Sequence, residues 1–191
     1  SYASADHLEL VQQEKDTIER MLGRHVTTNR NHYLRLKSNS QLDVLVNAGI
    51  KEDFTIGYAD SPGFRMGTCR PVRYINPETL EVNDLILHPL SMMDGSFSQY
   101  SKMDYTQAYE TACRLIDQVK KHGGELVILW HNSEVRGENY HKKLYKNLIS
   151  YIENKKKELI YMHTGIFGKY QGHKVYKTSL PTYVGNKYYE D

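Results

Sequence analysis

The sequence contains few cysteines and no long apolar segment. Its two cysteines among 191 residues, Cys69 and Cys113, cannot form a disulfide framework, so we interpret both as buried thiols. No apolar run approaches the roughly 20 residues that a membrane-spanning helix requires. The opening SYASADHLEL lacks the basic and apolar regions of a signal peptide. The sequence therefore predicts neither a disulfide-stabilised scaffold nor a membrane span.

Charge bias and the common catalytic motifs are absent too. Lys and Arg number 25 and Asp and Glu number 23, and the net charge of +2 provides no basic footprint for nucleic acid. The sequence has no Walker loop, no G-x-G-x-x-G and no serine-hydrolase signature. Its nine histidines show neither H-x-x-x-H nor H-E-x-x-H spacing, so a metal site within this chain would need ligands from distant segments.

The composition is that of a folded domain with a polar surface. Hydrophobic residues make up 39% of the chain, while the mean hydropathy is −0.65. A chain of this length can bury a sizeable core, so we expect one main domain. Tyrosine is abundant, at 16 residues, as is common in proteins that handle carbohydrate.

The apolar pattern alternates between helix and strand. Helical periodicity and stopping glycines predict helices over 6–22, 38–49, 104–124 and 139–157. Apolar and β-branched runs predict strands over 24–30, 53–58, 84–95 and 125–130. This alternation predicts an α/β fold with a mostly parallel sheet. Residues 158–191 are aromatic and have no helical period, so we expect extended strands and turns there.

The stretch ELVILWHN, residues 125–132, leads from an apolar strand directly into a histidine. In parallel α/β folds the chemistry gathers where the strands end. The residues that follow the other predicted strands, 30–32, 58–60 and Asp94, are also polar and of catalytic types. This convergence favours a functional role for His131 over the alternative that it is the first polar residue after a core strand.

Four further residues each have a functional and a structural interpretation, and the sequence leaves both open. Arg30 offers a planar fork that holds a carboxylate, or it belongs to a basic surface turn. Asp53 and Asp94 are site residues or ordinary cap and turn formers. Arg65, flanked by glycines in GFRMG, lies in a tight loop that approaches a ligand or in an irregular connection.

Four segments, in this order, resemble the motifs of a known family: RNHYL, DFTIGYAD, GFRMGTC and LWHN. They are similar to the polysaccharide deacetylases of the NodB-homology class, most of all to the bacterial branch that acts on envelope polysaccharide. The resemblance covers residues 1–150 and implies a distorted (β/α) barrel. We therefore expect a partial barrel of this type over residues 1–155. An extended aromatic C-terminal extension of unknown role is expected over 156–191.

The resemblance also implies a chemistry. In this family a divalent metal, often zinc, polarises the acetyl carbonyl of an acetylated sugar and activates water. An aspartate acts as the base and a histidine as the acid. The expected cofactor is therefore zinc or another divalent metal. The expected partner is an N- or O-acetylated polysaccharide or oligosaccharide.

Carried over to this chain, the resemblance implies roles for five residues. His131, in LWH, would be the general acid that protonates the leaving amine, and Leu129 would line the acetyl pocket. Arg30 would orient the catalytic aspartate, and Asp53 would pair with that arginine. The Tyr33 backbone N–H would help to bind the oxyanion, although the family has prolines where RNHYL has Asn and His.

Two motifs of the family are missing from the resemblance. In related sequences the catalytic base and the three metal ligands precede the segment that SYASAD resembles. The chain is therefore expected to be the C-terminal part of a longer deacetylase, with Arg65 and Asp94 as further substrate-binding residues. The alternative is a non-catalytic carbohydrate-binding or vestigial module that holds no metal. An incomplete barrel would also favour self-association, and the bacterial cytoplasm is the favoured location.

Overall fold

The computed structural model describes residues 4–36, 38 and 40–155, together with the backbone of Ile160–Thr164. These residues form a mixed α/β structure, as the sequence predicts. They divide into two compact units. Unit 1 comprises the described residues of 1–56 and 71–89, and unit 2 comprises those of 57–70 and 90–191.

Unit 1 contains two helices and a four-stranded sheet. Its elements in chain order are α1 (Leu8–Leu22), β1 (Thr28–Asn29), α2 (Ser40–Asn47), β2 (Glu52–Asp53), β3 (Val72–Ile75) and β4 (Val82–Leu87). The strand order is β1-β2-β4-β3, in which β1, β2 and β4 are parallel and β3 is antiparallel to β4. The parallel strands therefore place their carboxyl ends at one edge of the sheet.

Unit 2 contains a three-stranded parallel sheet covered by two helices. Its elements in chain order are β5 (Leu90–Met93), α3 (Tyr105–His122), β6 (Leu126–Trp130), α4 (Tyr140–Asn154) and β7 (Ile160–Thr164). The strand order is β5-β6-β7. A π-helical turn, Ser96–Tyr100, follows β5, and a 3₁₀ turn, Asn132–Val135, follows β6. The core between sheet and helices includes Ile116, Ile128, Trp130, Leu144 and Leu148.

The structure confirms the four predicted helices. They could be predicted because capping and stopping residues lie within a few positions of each helix end. Asp104 begins α3 with a capping box, in which its carboxylate accepts the Gln107 N–H and the Gln107 side chain accepts the Asp104 N–H. Gly23 after α1 and Gly123 after α3 have φ of 66° and 62°. Glycine adopts this left-handed conformation readily, so both helices end where the sequence predicts.

The strand predicted over 84–95 is two strands that belong to different sheets. β4 ends at Leu87 and pairs within unit 1, whereas β5 begins at Leu90 and pairs within unit 2. Pro89 lies between them and has no N–H to donate to a sheet ladder. Just before it, the His88 N–H donates to the Asp53 carbonyl at 2.8 Å. The proline therefore lies at the boundary between β4 and β5, which the continuous apolar pattern did not indicate.

The strand predicted over 53–58 corresponds to β2, which ends at Asp53. The sequence did not predict β3. The Asp53 carboxylate accepts the Thr55 N–H at 2.9 Å, which turns the chain directly after β2. β3 lies in a stretch that carries no clear alternation, and its pairing with β4 comes from tertiary contact. Within the described residues both sheets are open, so a closed barrel is not formed by this part of the chain.

Two further expectations concern the membrane and the C-terminal extension. Of the helices in the described ranges, none combines the length and apolarity needed to span a bilayer. The predicted extension over 156–191 lies outside the described residues except for the backbone of β7, which is extended and parallel to β6.

Candidate functional site

The clearest candidate site in unit 2 is a pair formed by Asp94 and His131. The His131 N–H donates to Asp94 Oδ2 at 2.6 Å, and His131 Nδ1 lies 2.7 Å from Asp94 Oδ1. The Gly95 N–H also donates to Oδ1, at 2.7 Å. Asp94 is 1% exposed, whereas the His131 side chain is 46% exposed. A buried carboxylate held at both oxygens thus fixes one edge of a solvent-accessible imidazole.

Parallel strand pairing brings these two residues together. Asp94 directly follows β5 and His131 directly follows β6, and the two strands are neighbours with Met93 opposite Leu129. The carboxyl ends of parallel strands meet at one edge of a sheet, so the residues that follow them become adjacent. The sequence could predict each residue but not the bond between them, because 37 positions separate them.

Leu129 lies on the same face of the strand as His131. Ile128 and Trp130 belong to the core packed under α3 and α4, whereas Leu129 is buried outside that cluster. Side chains alternate between faces along a strand, and His131 continues the extended backbone with φ −77° and ψ 140°. Leu129 is therefore on the strand face that His131 continues, and its side chain is fully buried.

The geometry assigns distinct roles to the two imidazole nitrogens. A carboxylate accepts hydrogen bonds, so Asp94 favours a proton on Nδ1 of His131. Nε2 lies on the opposite side of the ring from this carboxylate. An imidazole oriented in this way transfers protons through Nε2, while the carboxylate stabilises the cation that forms. The pair can thus serve as a general acid or base.

Arg65 lies in the loop that precedes Cys69, and its guanidinium contacts the backbone of that loop at Gly57. Its Nη1 atom lies 3.4 Å from the Gly57 carbonyl oxygen, which is a long hydrogen bond. At the start of the same loop, a Cβ added to Gly57 would lie 2.6 Å from Leu90 Cβ. Only glycine permits this close approach to β5. Arg65 therefore contacts the backbone at the start of its own loop.

Two exposed tyrosines lie on the segments around Asp94. Tyr58 is 43% exposed and Tyr100 is 51% exposed. The Ser96 hydroxyl donates to the Ala59 carbonyl at 2.9 Å, and the Ser101 hydroxyl donates to the Asp60 carbonyl at 3.0 Å. These two hydrogen bonds join the loop of Tyr58 to the turn of Tyr100. Both rings are thus presented to solvent from adjoining backbone.

In unit 1, Asp53 is a fully buried carboxylate at the end of β2. Its Oδ1 accepts the Asn29 amide at 2.8 Å and the Thr55 hydroxyl at 2.7 Å, and its Oδ2 accepts the Thr55 N–H. Burial raises the pKa of Asp53, and the hydrogen bonds from Thr55 and Asn29 and the nearby His88 offset part of the rise. Neutral donors thus make these hydrogen bonds, and the predicted pairing of Asp53 with Arg30 stays a prediction.

Tyr33, also in unit 1, lies in an unusual backbone segment. Tyr33 and Leu34 both have positive φ, of 60° and 51°, within the 3₁₀ turn His32–Leu34. Consecutive non-glycine residues in this region are strained, and such strain often accompanies a functional site. The Leu34 side chain is buried, while that of Tyr33 is 68% exposed. The buried leucine therefore anchors a turn that presents the tyrosine to solvent.

The predicted site residues are divided between the two units. Unit 1 holds Arg30, Tyr33 and Asp53, and unit 2 holds Arg65, Asp94, Leu129 and His131. Across the described ranges, no cluster of three or more His, Cys, Asp or Glu side chains is suited to hold a metal ion.

Sequence reasoning missed His141, which lies near the pair in unit 2. Its Nε2 lies 2.9 Å from the Ser98 hydroxyl and 3.6 Å from Glu134 Oε2. Its helical position could have identified it, because His141 lies on the same apolar stripe of α4 as Leu144 and Leu148. A histidine on an apolar helix face needs a polar partner, and here that partner comes from another segment.

Comparison with protein-family models, curated proteins and solved structures finds no match to this chain.

Proposed function

We propose that this protein is a carbohydrate deacetylase, or part of one, in which His131 is the general acid and Asp94 holds it in place. The observation that carries the proposal is the 2.7 Å contact between His131 Nδ1 and the buried Asp94 carboxylate. An acid that must deliver a proton in one direction needs a fixed ring orientation and a fixed tautomer, and this contact supplies both. The resemblance of LWHN to the deacetylase motif adds the substrate class.

The proposed step is the collapse of the tetrahedral intermediate formed when water adds to the acetyl carbonyl. His131 donates the proton on Nε2 to the leaving nitrogen as the C–N bond breaks, and acetate and a free amine result. For an O-acetyl group the same proton goes to the leaving oxygen and an alcohol results. Asp94 stabilises the imidazolium before transfer. The role of Leu129 in lining the acetyl pocket is proposed on the resemblance alone.

The metal of the deacetylase class has no step in this proposal. The described residues do not fit a metal site, because they bring together no group of three or more suitable side chains. The zinc or other divalent ion that the resemblance implies would need ligands from outside the described residues. What His131 and Asp94 do, which is to hold and donate a proton, follows from their own geometry.

Three residues of unit 1 belong to the proposal in weaker roles. The oxyanion role of the Tyr33 backbone N–H is proposed on the resemblance alone. The buried, neutral-donor environment of Asp53 supports a role in shaping the end of β2. Arg30 is proposed as the residue that orients the catalytic aspartate on the resemblance alone.

The test measures acetate release from N-acetylated chito-oligosaccharides by the native polypeptide supplied with zinc. His131→Ala should reduce release by about 10²- to 10⁴-fold, the usual contribution of a general acid. His122→Ala is the matched control, because it removes an exposed histidine at the end of α3. Undiminished release by His131→Ala would refute the proton-donor role. A wild-type protein that releases no acetate would refute the enzyme assignment.

The second candidate function is a carbohydrate-binding module without catalysis. The observation that favours it is the pair of exposed tyrosines, Tyr58 and Tyr100, on segments joined by two hydrogen bonds. Exposed tyrosine rings offer a flat apolar surface with a polar end, which suits the face of a sugar ring. This function needs neither a metal nor a proton donor.

A binding measurement separates the two candidates. Calorimetric titration with the same oligosaccharides should show binding that Tyr58→Ala and Tyr100→Ala each weaken by about an order of magnitude, equivalent to about 1.4 kcal/mol. Met21→Ala is the control, since it truncates an exposed apolar side chain of α1. Binding with these effects but without acetate release would establish the second candidate. Unchanged binding in both variants would exclude a tyrosine platform.

A further inference from the structure

We propose that His141 is a positioning residue that holds together the two segments carrying Asp94 and His131. This inference rests on the proposed function of that pair. His141 Nε2 lies 2.9 Å from Ser98 Oγ and 3.6 Å from Glu134 Oε2. The first contact is a hydrogen bond, and the second is within ion-pair range only.

The two partners of His141 lie directly beyond the catalytic pair. Ser98 is in the π-helical turn Ser96–Tyr100, which begins two residues after Asp94. Glu134 is in the 3₁₀ turn after His131, and its N–H donates to the His131 carbonyl at 3.0 Å. His141 therefore contacts the turn that follows each member of the pair. A shift of either turn would change the distance between the Asp94 carboxylate and the His131 ring.

The His141 ring is itself held firmly. Its side chain is 12% exposed. It makes edge contacts with Tyr140, at 4.9 Å between ring centroids, and with Trp130, at 6.2 Å. It sits in the first turn of α4, where the Asn139 side chain caps the helix by accepting the Lys142 N–H. Packing and capping thus fix the ring relative to the helix, as a positioning residue requires.

A second nucleophilic site made of Ser98, His141 and Glu134 is inconsistent with the contacts. In a catalytic triad the acid holds one imidazole nitrogen while the other nitrogen accepts the nucleophile's proton. Here Ser98 and Glu134 approach the same nitrogen, Nε2. Nδ1 of His141 is buried and has no hydrogen-bond partner among the described residues. The arrangement joins two turns, and it does not activate the serine.

The test compares two substitutions of His141 that differ in their polar group. His141→Phe keeps a ring against Trp130 but removes Nε2, whereas His141→Gln places an amide near the position of Nε2. The matched control is Tyr145→Leu, which removes another ring that packs on Trp130, at 5.4 Å. The first readout is the NMR resonance of the His131 Nδ1 proton, which reports the bond to Asp94 without any need for activity.

We expect His141→Phe to broaden or shift the His131 Nδ1 resonance and to lower kcat by about 10- to 100-fold, the usual cost of misplacing a catalytic group. KM should stay unchanged, since His141 is not proposed to touch substrate. His141→Gln should restore most of the resonance and of kcat, and Tyr145→Leu should leave both at wild-type values. An unchanged His131 resonance in folded His141→Phe would overturn the inference.

Two further variants keep the inference testable if His141→Phe does not fold. Ser98→Ala and Glu134→Gln each remove one partner and leave the ring in place, so each should shift the His131 resonance. No shift in either would also overturn the inference. If the resonance shifts as expected but the wild type releases no acetate, the positioning role stands and the proposed function fails.

Discussion

Replacing Asp94 with asparagine changes one atom of a carboxylate that serves three donor groups. Oδ2 accepts the His131 N–H at 2.6 Å, while Oδ1 accepts the Gly95 N–H at 2.7 Å and contacts His131 Nδ1 at 2.7 Å. Asparagine offers one carbonyl oxygen and one NH₂ group. Whichever way the amide is placed, one backbone N–H loses its acceptor and faces another donor.

The magnitude follows from the burial of this site. Asp94 is 1% exposed, so water does not readily replace the lost acceptor. An unsatisfied buried donor costs about 1–3 kcal/mol, and we expect Asp94→Asn to lower the free energy of unfolding by that amount. The activity should fall as well, because the neutral amide of asparagine does not stabilise the imidazolium form of His131. The loss in kcat should not exceed that of His131→Ala, which is about 10²- to 10⁴-fold, because Asp94 acts through His131.

Urea unfolding monitored by circular dichroism measures the stability change. Asp84→Asn is the control, because Asp84 is 74% exposed and its charge should contribute less than about 0.5 kcal/mol. If Asp94→Asn unfolds at the same urea concentration as the wild type, the buried carboxylate does not hold His131. If stability falls but acetate release does not, the bond is structural and the general-acid role is wrong.

Three other predictions test the fold around the site. Gly124→Ala should destabilise the protein by about 1–3 kcal/mol in urea, because a new Cβ would lie 2.5 Å from the Cys69 carbonyl oxygen. Asp104→Ala should cost about 1 kcal/mol by the same measurement, through loss of the capping box of α3. The Val26 N–H and Lys15 lower the pKa of Glu19 to about 2. Its contribution to stability should be complete above its ordinary pKa of 4.5 and should disappear as the pH falls through 2. Urea unfolding from pH 6 to 2 should show this loss, and Glu19→Gln should flatten that dependence.

The helices were predictable, and His131 could be singled out as a candidate, because these signals are local. Gly23 and Gly123 end helices through a backbone conformation that other residues adopt at a cost. Asp104 begins a helix through a hydrogen bond to a residue three positions away. His131 was identifiable because it follows the most apolar strand of the sequence. Each of these features lies within a few residues of its cause.

The partners of those residues were not predictable. His131 contacts Asp94, which is 37 positions away in the sequence, because β5 and β6 are parallel neighbours in the sheet. The length of β2 was overestimated because the Asp53 carboxylate accepts two hydrogen bonds from Thr55, which turn the chain directly after the strand. The apolar periodicity of the sequence gives no sign of this turn. The apolar pattern continues on both sides of Pro89, so the sequence predicted one strand there. The structure has two strands, and they belong to different sheets.

The sequence alone determined the helix ends, the class of fold and which side chains could do chemistry, since propensity, capping and residue type are properties of short segments. The tertiary structure decided which strands pair, where one unit ends and the other begins, and that a buried carboxylate orients His131. Pairing depends on burial and hydrogen bonding between segments far apart in the chain, so the same local pattern is compatible with several partners until the sheet forms.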